Sequence, residues 1–129
     1  MAMSGTIYSH RELVVWQKAM DLVVLIYSIT EKLPKTEIYG LTAQMRRSAV
    51  SIPSNIAEGR KRGGAKEYRN FLYVANASGA ELETQIEICK RLTLTKHLDF
   101  TQAEQILSEV GKMLNATIGT LSRQIKENS

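Results

Sequence analysis

The sequence predicts an all-α protein, an antiparallel up-and-down four-helix bundle that assembles with copies of itself as a homo-oligomer. Only two prolines are present, Pro34 and Pro53, so long helices are favoured over many short strands and turns. Apolar residues recur at helical spacing in four segments separated by short links. Because short links favour neighbouring helices that alternate in direction, these segments predict an antiparallel bundle.

Length and composition fit one domain covering residues 1–129. Hydrophobic residues make up 43% of the chain, which is enough to bury a core. The single cysteine, Cys89, excludes an intramolecular disulfide, and a lone thiol on a helix is most often a small core residue. The longest uninterrupted apolar stretch, residues 22–27, is too short to span a bilayer, and no leader pattern precedes it. We therefore expect a cytoplasmic protein that does not contact the membrane.

Helix 1 is predicted over residues 10–33. Ser9 and Glu12 match the S/T-x-x-E pattern of a helix start, and Pro34 ends the helix. Two displaced stripes of apolar residues indicate burial on two sides, in the bundle and against another subunit; the alternative is a deeply embedded helix in a monomer. The stripes are Leu13, Trp16, Met20, Val23 and Tyr27, and Val15, Ala19, Leu22, Ile26, Ile29 and Leu33.

Helix 2 is predicted over residues 38–61 and contains Pro53, which either kinks a helix or ends it. We expect a kinked but continuous helix, because Ser51, Ser54 and Asn55 can hydrogen-bond the carbonyls that proline leaves free. Its apolar face contains Ile38, Leu41, Met45, Ala49, Ile52 and Ile56.

Helices 3 and 4 are predicted over residues 65–93 and 101–126. Gly59 and the pair Gly63 and Gly64 mark the turn before helix 3. The small and polar residues at 75–80 predict a close approach of a neighbouring helix. Thr101 and Glu104 repeat the capping pattern at the start of helix 4.

Catalytic and metal-binding patterns are missing from the sequence. The two histidines, His10 and His97, have no histidine or cysteine at ligand spacing and no nucleophile in a known signature. The glycines near position 63 lack the Gly-Lys-Ser/Thr ending of a phosphate-binding loop. We expect neither enzymatic activity nor a metal or other cofactor.

The strongest functional signal is a concentration of positive charge between residues 46 and 69. This stretch contains seven cations and two carboxylates, so its net charge is +5, whereas the net charge of the whole chain is +4. A localised basic patch favours nucleic acid, with Tyr68 close enough to stack on a base; the alternative is a solvated face with subunit salt bridges. The predicted nucleic-acid-binding residues are Arg46, Arg47, Arg60, Lys61, Arg62, Lys66 and Arg69.

A second group of polar residues, Glu81, Glu83, Gln85 and Glu87, lies on helix 3. Glu83 and Glu87 are one turn apart and repel each other unless a cation such as Arg46 or Arg47 lies nearby. The group is interpreted either as a solvated acidic face or as a polar network that fixes helix or subunit pairing.

Four segments of the chain carry a family resemblance, residues 13–19, 39–49, 51–59 and 80–85, and the most specific is Ser-Ile-Pro-Ser-Asn-Ile-Ala-Glu-Gly at 51–59. Together they resemble one bacterial family, the 23S ribosomal RNA intervening-sequence proteins. The resemblance implies a four-helix bundle and a group whose members form cyclic pentamers. A more distant relative, the accessory protein of diversity-generating retroelements, is similar in fold and is associated with RNA and reverse transcriptase. No catalytic residue carries over.

Taken together, the residues and the resemblance lead to one functional hypothesis and one alternative. The hypothesis is a non-enzymatic homo-oligomer, with a pentamer implied by the resemblance, that binds structured RNA in preference to DNA through its basic patch. Repetition of the patch around a ring would add weak phosphate contacts together. The alternative is a scaffold for protein partners with no nucleic-acid role.

Overall fold

The computed structural model describes residues 9–37 and 40–129, and in this part of the chain all regular structure is helical. Two short 3-10 turns, His10–Glu12 and Lys35–Glu37, accompany the four long helices. The all-α prediction is confirmed, and the helices pack as a bundle. The helices are α1 (Val14–Thr30), α2 (Leu41–Arg62), α3 (Ala65–Arg91) and α4 (Thr101–Glu127).

Helix α1 begins four residues later than predicted. Ser9 accepts a hydrogen bond from the backbone N–H of Arg11 at 3.1 Å, and this bond caps the 3-10 turn rather than the α-helix. Leu13 then has extended backbone (φ −78°, ψ 126°), which separates the turn from α1. Because Pro34 disfavours helical backbone at Leu33, α1 ends at Thr30, before the predicted limit.

Helix α2 runs without interruption through Pro53, so the prediction of a continuous helix is confirmed. The side chain of Asn55 donates hydrogen bonds to the carbonyl oxygen of Ser51 at 2.8 Å and to its hydroxyl at 2.9 Å. The predicted start at residue 38 lies outside the described residues, and α2 begins at Leu41, whose N–H donates to the Glu37 carboxylate at 3.2 Å.

Gly59 lies inside α2 and does not mark the turn, contrary to the sequence prediction. A Cβ atom built on Gly59 would lie 2.7 Å from the Cβ of Phe71 on α3, so the glycine permits a close helix contact. Gly63 is the residue that ends α2, with a left-handed φ of 84°. A second close contact occurs where it was predicted, since the hydroxyl of Ser78 donates to that of Ser51 at 2.8 Å.

The predicted capping of α4 by Thr101 is wrong. The Asp99 carboxylate accepts the backbone N–H of Thr101 at 2.9 Å, and Phe100 occupies the capping position without a side-chain bond. Glu104 instead forms a salt bridge with Lys90 on α3, at 3.0 Å. In the predicted pattern the Glu104 carboxylate would accept the backbone N–H of Thr101. That N–H is bonded to the Asp99 carboxylate instead.

The core lies between all four helices and includes one of the two stripes predicted on α1. Ala19, Leu22 and Ile26 are fully buried, whereas Met20 and Tyr27 of the other stripe are 37% and 41% exposed. None of the described helices combines the length and apolarity needed to cross a lipid bilayer. The buried apolar residues of the other helices include Met45, Ala49, Ile52, Ile56, Leu72, Ala75, Leu82, Ile86, Cys89, Ala103, Val110 and Leu114.

Candidate nucleic-acid interface

The turn between α2 and α3 carries the densest group of cations. Arg60, Lys61 and Arg62 form the last turn of α2, where positive charge interacts favourably with the carbonyl end of the helix. Gly63 and Gly64 then reverse the chain, and Lys66 lies in the first turn of α3. Glycine is needed at position 63 because its φ of 84° is unfavourable for other residues.

The structure does not bring the seven predicted residues into one patch. Arg46 and Arg47 lie near the start of α2, whereas Arg60 lies near its end. A separation of 14 residues along a helix corresponds to about 21 Å. The predicted site therefore divides into a group around the α2–α3 turn and two separate arginines.

Arg46 is held between α1 and α2 by internal contacts. Its Nε donates to the hydroxyl of Thr30 at 2.9 Å, and its guanidinium lies 4.4 Å from the ring centroid of Tyr27. Thr30 is buried and donates in turn to the carbonyl of Ile26 at 2.6 Å. Arg46 therefore joins α1 to α2, with its Nε engaged by Thr30 and its guanidinium over the ring of Tyr27.

Arg47 faces a different surface, a groove between α2 and α3. The groove also contains Glu81 and Gln85, two members of the polar group predicted on helix 3. Glu87, another member of that polar group, lies outside the groove and forms a salt bridge with Arg91 at 2.9 Å. The side-chain hydrogen bond from Arg91 lowers the pKa of Glu87. Neither predicted arginine therefore neutralises Glu87.

Arg60 lines a small cavity of about 180 Å³ beside the turn. Its Nε atom is buried and has no hydrogen-bond partner among the described residues. Tyr68 lies in the same cavity, where burial raises the pKa of its hydroxyl and the charge of Arg60 opposes that rise. The Tyr68 ring also packs against Gly59, with Cδ1 3.1 Å from the position of a built Cβ, so it is already engaged within the bundle.

Arg62 is partly neutralised by carboxylates on both sides of the turn. It forms salt bridges with Glu58 at 3.1 Å and with Glu67 at 3.9 Å, and its guanidinium lies 5.1 Å from the ring centroid of Phe71. These side chains are about half exposed, so the pairs are screened by water and salt. Arg62 contributes less positive charge to the surface than the sequence suggests.

Lys61 and Lys66 are the most available cations of the turn. Both are exposed, and neither has a salt bridge within the described residues. Arg69 connects α3 to α4 instead, since its guanidinium donates to the hydroxyl of Ser122 at 3.4 Å. Its guanidinium also lies 5.9 Å from the ring centroid of Tyr73.

Two further cations reach this end of the bundle from α4, and neither was predicted from the sequence. Leu121 and Gln124 line the cavity of Arg60, so the exposed Arg123 and Lys126 belong to the same end of the molecule. Basic residues in the last turns of a helix are a recognisable signal, but more than 50 positions separate them from the turn. We use the term basic end for Arg60, Lys61, Arg62, Lys66, Arg69, Arg123 and Lys126.

The net charge of the protein is concentrated at the basic end. Seven cations and the three carboxylates of Glu58, Glu67 and Glu127 lie there, which leaves ten cations and ten carboxylates for the rest of the chain. Such an asymmetric distribution attracts polyanions to one end of the molecule. Within residues 9–37 and 40–129, no three side chains of His, Cys, Asp or Glu cluster in a way that could hold a metal ion.

Comparison with known proteins gives one family match. Residues 11–116 match the model of the family described as 23S rRNA-intervening sequence protein, a span that covers all of α1, α2 and α3 and more than half of α4. No curated protein matches the chain.

Proposed function

Because this chain belongs to the 23S rRNA-intervening sequence protein family, we propose that it is a non-catalytic, homo-oligomeric helical bundle that binds structured RNA through its basic end. RNA is preferred to DNA in this proposal because the description of the family names an RNA, the 23S rRNA. The proposed place of action is the cytoplasm. The observation that carries the proposal is the charge distribution, with the excess cations at one end and an otherwise neutral chain.

Phosphate contacts suit the exposed cations of the basic end. Lys61 and Lys66 flank a turn built on Gly63 and Gly64, and Arg123 and Lys126 add charge from another helix. Because these cations come from three helices, they present a basic surface wider than one side chain, which can contact more than one phosphate. Such contacts recognise backbone shape more than base sequence.

The self-assembly in this proposal is supported by the exposed stripe of α1. Met20 and Tyr27 of this stripe are 37% and 41% exposed, and Val24, which is four residues from Met20 and three from Tyr27 on the same side of the helix, is 67% exposed. A groove of about 340 Å³ with a mainly apolar lining runs beside them between α1 and α2, and it includes Trp16. A cyclic oligomer would cover this face and repeat the basic end in every subunit.

The antiparallel, up-and-down arrangement of one domain is also part of the proposal. Along α3, Arg69 contacts Ser122, Asn76 contacts Asn115, and Lys90 contacts Glu104. The α4 partner moves back along the chain as the α3 residue advances. This order supports opposite directions for α3 and α4.

RNA binding is tested by fluorescence polarisation with a labelled RNA hairpin across a series of salt concentrations. The test variant replaces Lys61, Lys66 and Lys126 with alanine, and a control of equal charge replaces Lys32, Lys35 and Lys96, which are exposed outside the basic end. We expect the test variant to bind weakly, with a logarithmic salt slope lower by about 2–3. The control should lose much less affinity, and equal losses in the two variants would contradict the assignment of the site.

One observation favours the alternative, a scaffold for protein partners. Arg62 is engaged by Glu58 and Glu67, and Arg69 by Ser122, so part of the basic end has a structural role. This alternative predicts no RNA after purification and no change in hydrodynamic size when RNA is added at low salt. Size-exclusion chromatography with light scattering, with and without total RNA, distinguishes the two functions.

A further inference from the structure

A polar groove between α2 and α3 lies outside the basic end and has a chemistry of its own. It has a volume of about 410 Å³, and every residue that lines it is polar or charged. We use the term polar groove for the surface formed by Gln44, Arg47, Ser48, Ser51, Ser78, Glu81 and Gln85.

The two charged residues of the polar groove are opposite in sign but do not form an ion pair with each other. Arg47 on α2 and Glu81 on α3 are both exposed, and no salt bridge within 4.0 Å joins them. One positive and one negative side chain give the groove no net attraction for a phosphate. They instead offer hydrogen-bond donors on one wall and acceptors on the other.

Gln85 adds a polar side chain to the polar groove from α3. Its side-chain oxygen is buried and has no donor among the described residues. An amide oxygen removed from water without a donor costs free energy, so a rotation of the Gln85 side chain that brings this oxygen to a ligand N–H in the groove would be favourable.

The floor of the polar groove is held in place by hydrogen bonds, which favours selective recognition. Ser51 accepts hydrogen bonds from Asn55 at 2.9 Å and from Ser78 at 2.8 Å, so the floor is fixed by contacts within and between the helices. Arg47 and Glu81 both project from long helices rather than from loops. Side chains on packed helices hold their positions better than side chains on loops.

We infer that the polar groove binds an unpaired guanine base of the RNA, an inference that rests on the proposed function. Guanine has acceptors at O6 and N7, which match the guanidinium of Arg47. Its N1–H and N2 amino group are adjacent donors, which match the carboxylate of Glu81. Adenine has an acceptor at N1, so the lone pair of N1 would repel the carboxylate of Glu81.

The spacing between the two surfaces agrees with one RNA strand contacting both. Arg47 and Lys61 are 14 residues apart on α2, which corresponds to about 21 Å. A stacked strand covers that distance with roughly six nucleotides at 3.4 Å each. The basic end would supply affinity for the backbone, and the polar groove would select a base about six positions away.

The test uses RNA hairpins with single-stranded loops of uridine that contain one guanine, one inosine or one adenine. Binding to the wild-type protein is measured by fluorescence polarisation. We expect the guanine loop to bind about tenfold or more tightly than the adenine loop, because one bidentate contact typically discriminates at this level. Inosine, which lacks the N2 amino group, should fall between them, and this comparison needs no protein variant.

The protein variant for this test is Glu81→Gln, which replaces two acceptors with one acceptor and one donor. Because Glu81 is exposed, the fold should be retained, and thermal unfolding checks that it is. Glu81→Gln should remove the preference for guanine, whereas Glu83→Gln, an exposed glutamate on the same helix outside the polar groove, should preserve it.

The outcomes separate this inference from the proposed function. Salt-sensitive binding with equal affinity for guanine and adenine loops would overturn the guanine site and leave RNA binding at the basic end intact. A guanine preference that survives in Glu81→Gln would also overturn it. Absence of binding to every hairpin would overturn both.

Discussion

Gly59 and Phe71 lie at a close approach between α2 and α3, since a Cβ on Gly59 would lie only 2.7 Å from the Cβ of Phe71. Glycine in a helix usually costs roughly 1 kcal/mol relative to alanine, so Gly→Ala is ordinarily stabilising. At Gly59 the clash involves atoms next to the backbone on both helices and cannot be relieved by side-chain rotation. The two effects therefore oppose each other at this position.

We predict that Gly59→Ala destabilises the protein by about 1–2 kcal/mol, because overpacking typically costs about 1–3 kcal/mol and exceeds the gain in helix propensity. Urea unfolding measured by circular dichroism checks this. Gly111→Ala on α4 is the matched control, since nothing lies within 4 Å of its built Cβ, and it should stabilise by up to roughly 1 kcal/mol. Stabilisation by both variants would show that the helices separate without cost.

The start of α4 should become less stable in acid because of Asp99. The hydrogen bond from the backbone N–H of Thr101 lowers the pKa of Asp99 in the folded protein. A lowered pKa gives stability that is present above the unfolded pKa and is lost as pH falls through the folded pKa. Asp99→Ala should therefore lower the thermal midpoint at neutral pH, and its deficit relative to wild type should shrink in acid.

The control for this prediction is Asp99→Asn, which keeps an oxygen that can accept the Thr101 amide. It should unfold close to wild type at neutral pH and lack the acid-dependent part of the loss. Thermal melts of the three proteins between neutral and acidic pH make the comparison. An Asp99→Ala deficit that does not vary with pH would argue against this carboxylate as the cap.

Cys89 should react with thiol reagents only when the bundle opens. Its side chain is fully buried with Sγ 3.7 Å from the sulfur of Met45, and burial raises the pKa of the thiol. Labelling by an aromatic disulfide reagent at mildly alkaline pH should be slow and should accelerate in urea with the unfolding transition. A Ser28→Cys, Cys89→Ala protein, with its thiol on the exposed side of α1, should label at once.

The raised pKa of Cys89 also sets a direction for stability at alkaline pH. The folded protein keeps the thiol protonated at a pH where the unfolded chain has begun to lose the proton. Stability from this group is therefore complete below the unfolded pKa and falls as pH rises through the folded pKa. Cys89→Ala should show a smaller alkaline decline than wild type, and an unchanged decline would assign it to other groups.

Arg46 should contribute to stability rather than to RNA binding. Arg46→Ala removes the hydrogen bond to Thr30 and the contact with Tyr27, so we expect a loss of roughly 1–2 kcal/mol in urea unfolding. RNA affinity should change little, whereas Lys61→Ala should weaken RNA binding without altering stability. A larger loss of RNA affinity in Arg46→Ala than in Lys61→Ala would show that Arg46 belongs to the RNA-binding surface.

Self-assembly should depend on the exposed apolar stripe of α1. Val24 is 67% exposed, so Val24→Glu should leave the fold of one chain intact while placing a charge in the subunit contact. Light scattering after size-exclusion chromatography should show a smaller species. Leu94→Glu, at a residue that is 70% exposed outside α1, should leave the oligomer unchanged. An unchanged mass for Val24→Glu would place the subunit contact elsewhere.

The main helices and the core were predictable because the 3.6-residue period of the apolar positions can be recognised from residues close together in the sequence. Leu22 and Ile26 were placed on one stripe and are buried, and Pro53 was correctly placed inside a continuous helix. The family resemblance, based on the segment at 51–59, is likewise confirmed by the family match. The helix ends were less predictable, since Thr101 was expected to cap α4, whereas Phe100 occupies that position and Asp99 accepts the backbone N–H of Thr101.

The role of Gly59 could not be read from the sequence because it depends on a contact across helices. A glycine near the end of a predicted helix is usually a stop signal, and nothing nearby in sequence identifies Phe71 as its neighbour. The same limit applies to Arg46, whose partners Tyr27 and Thr30 lie more than 15 residues earlier.

Residue type and local spacing are sufficient to predict four amphipathic helices and an excess of positive charge between residues 46 and 69. Which of those cations are available to a partner depends on tertiary contacts. Arg46 bonds to Thr30 on α1, Glu58 and Glu67 engage Arg62, and α4 brings Arg123 to the basic end. Electrostatic interactions act through space over several ångströms, so residues far apart in the chain determine the charge that a partner encounters.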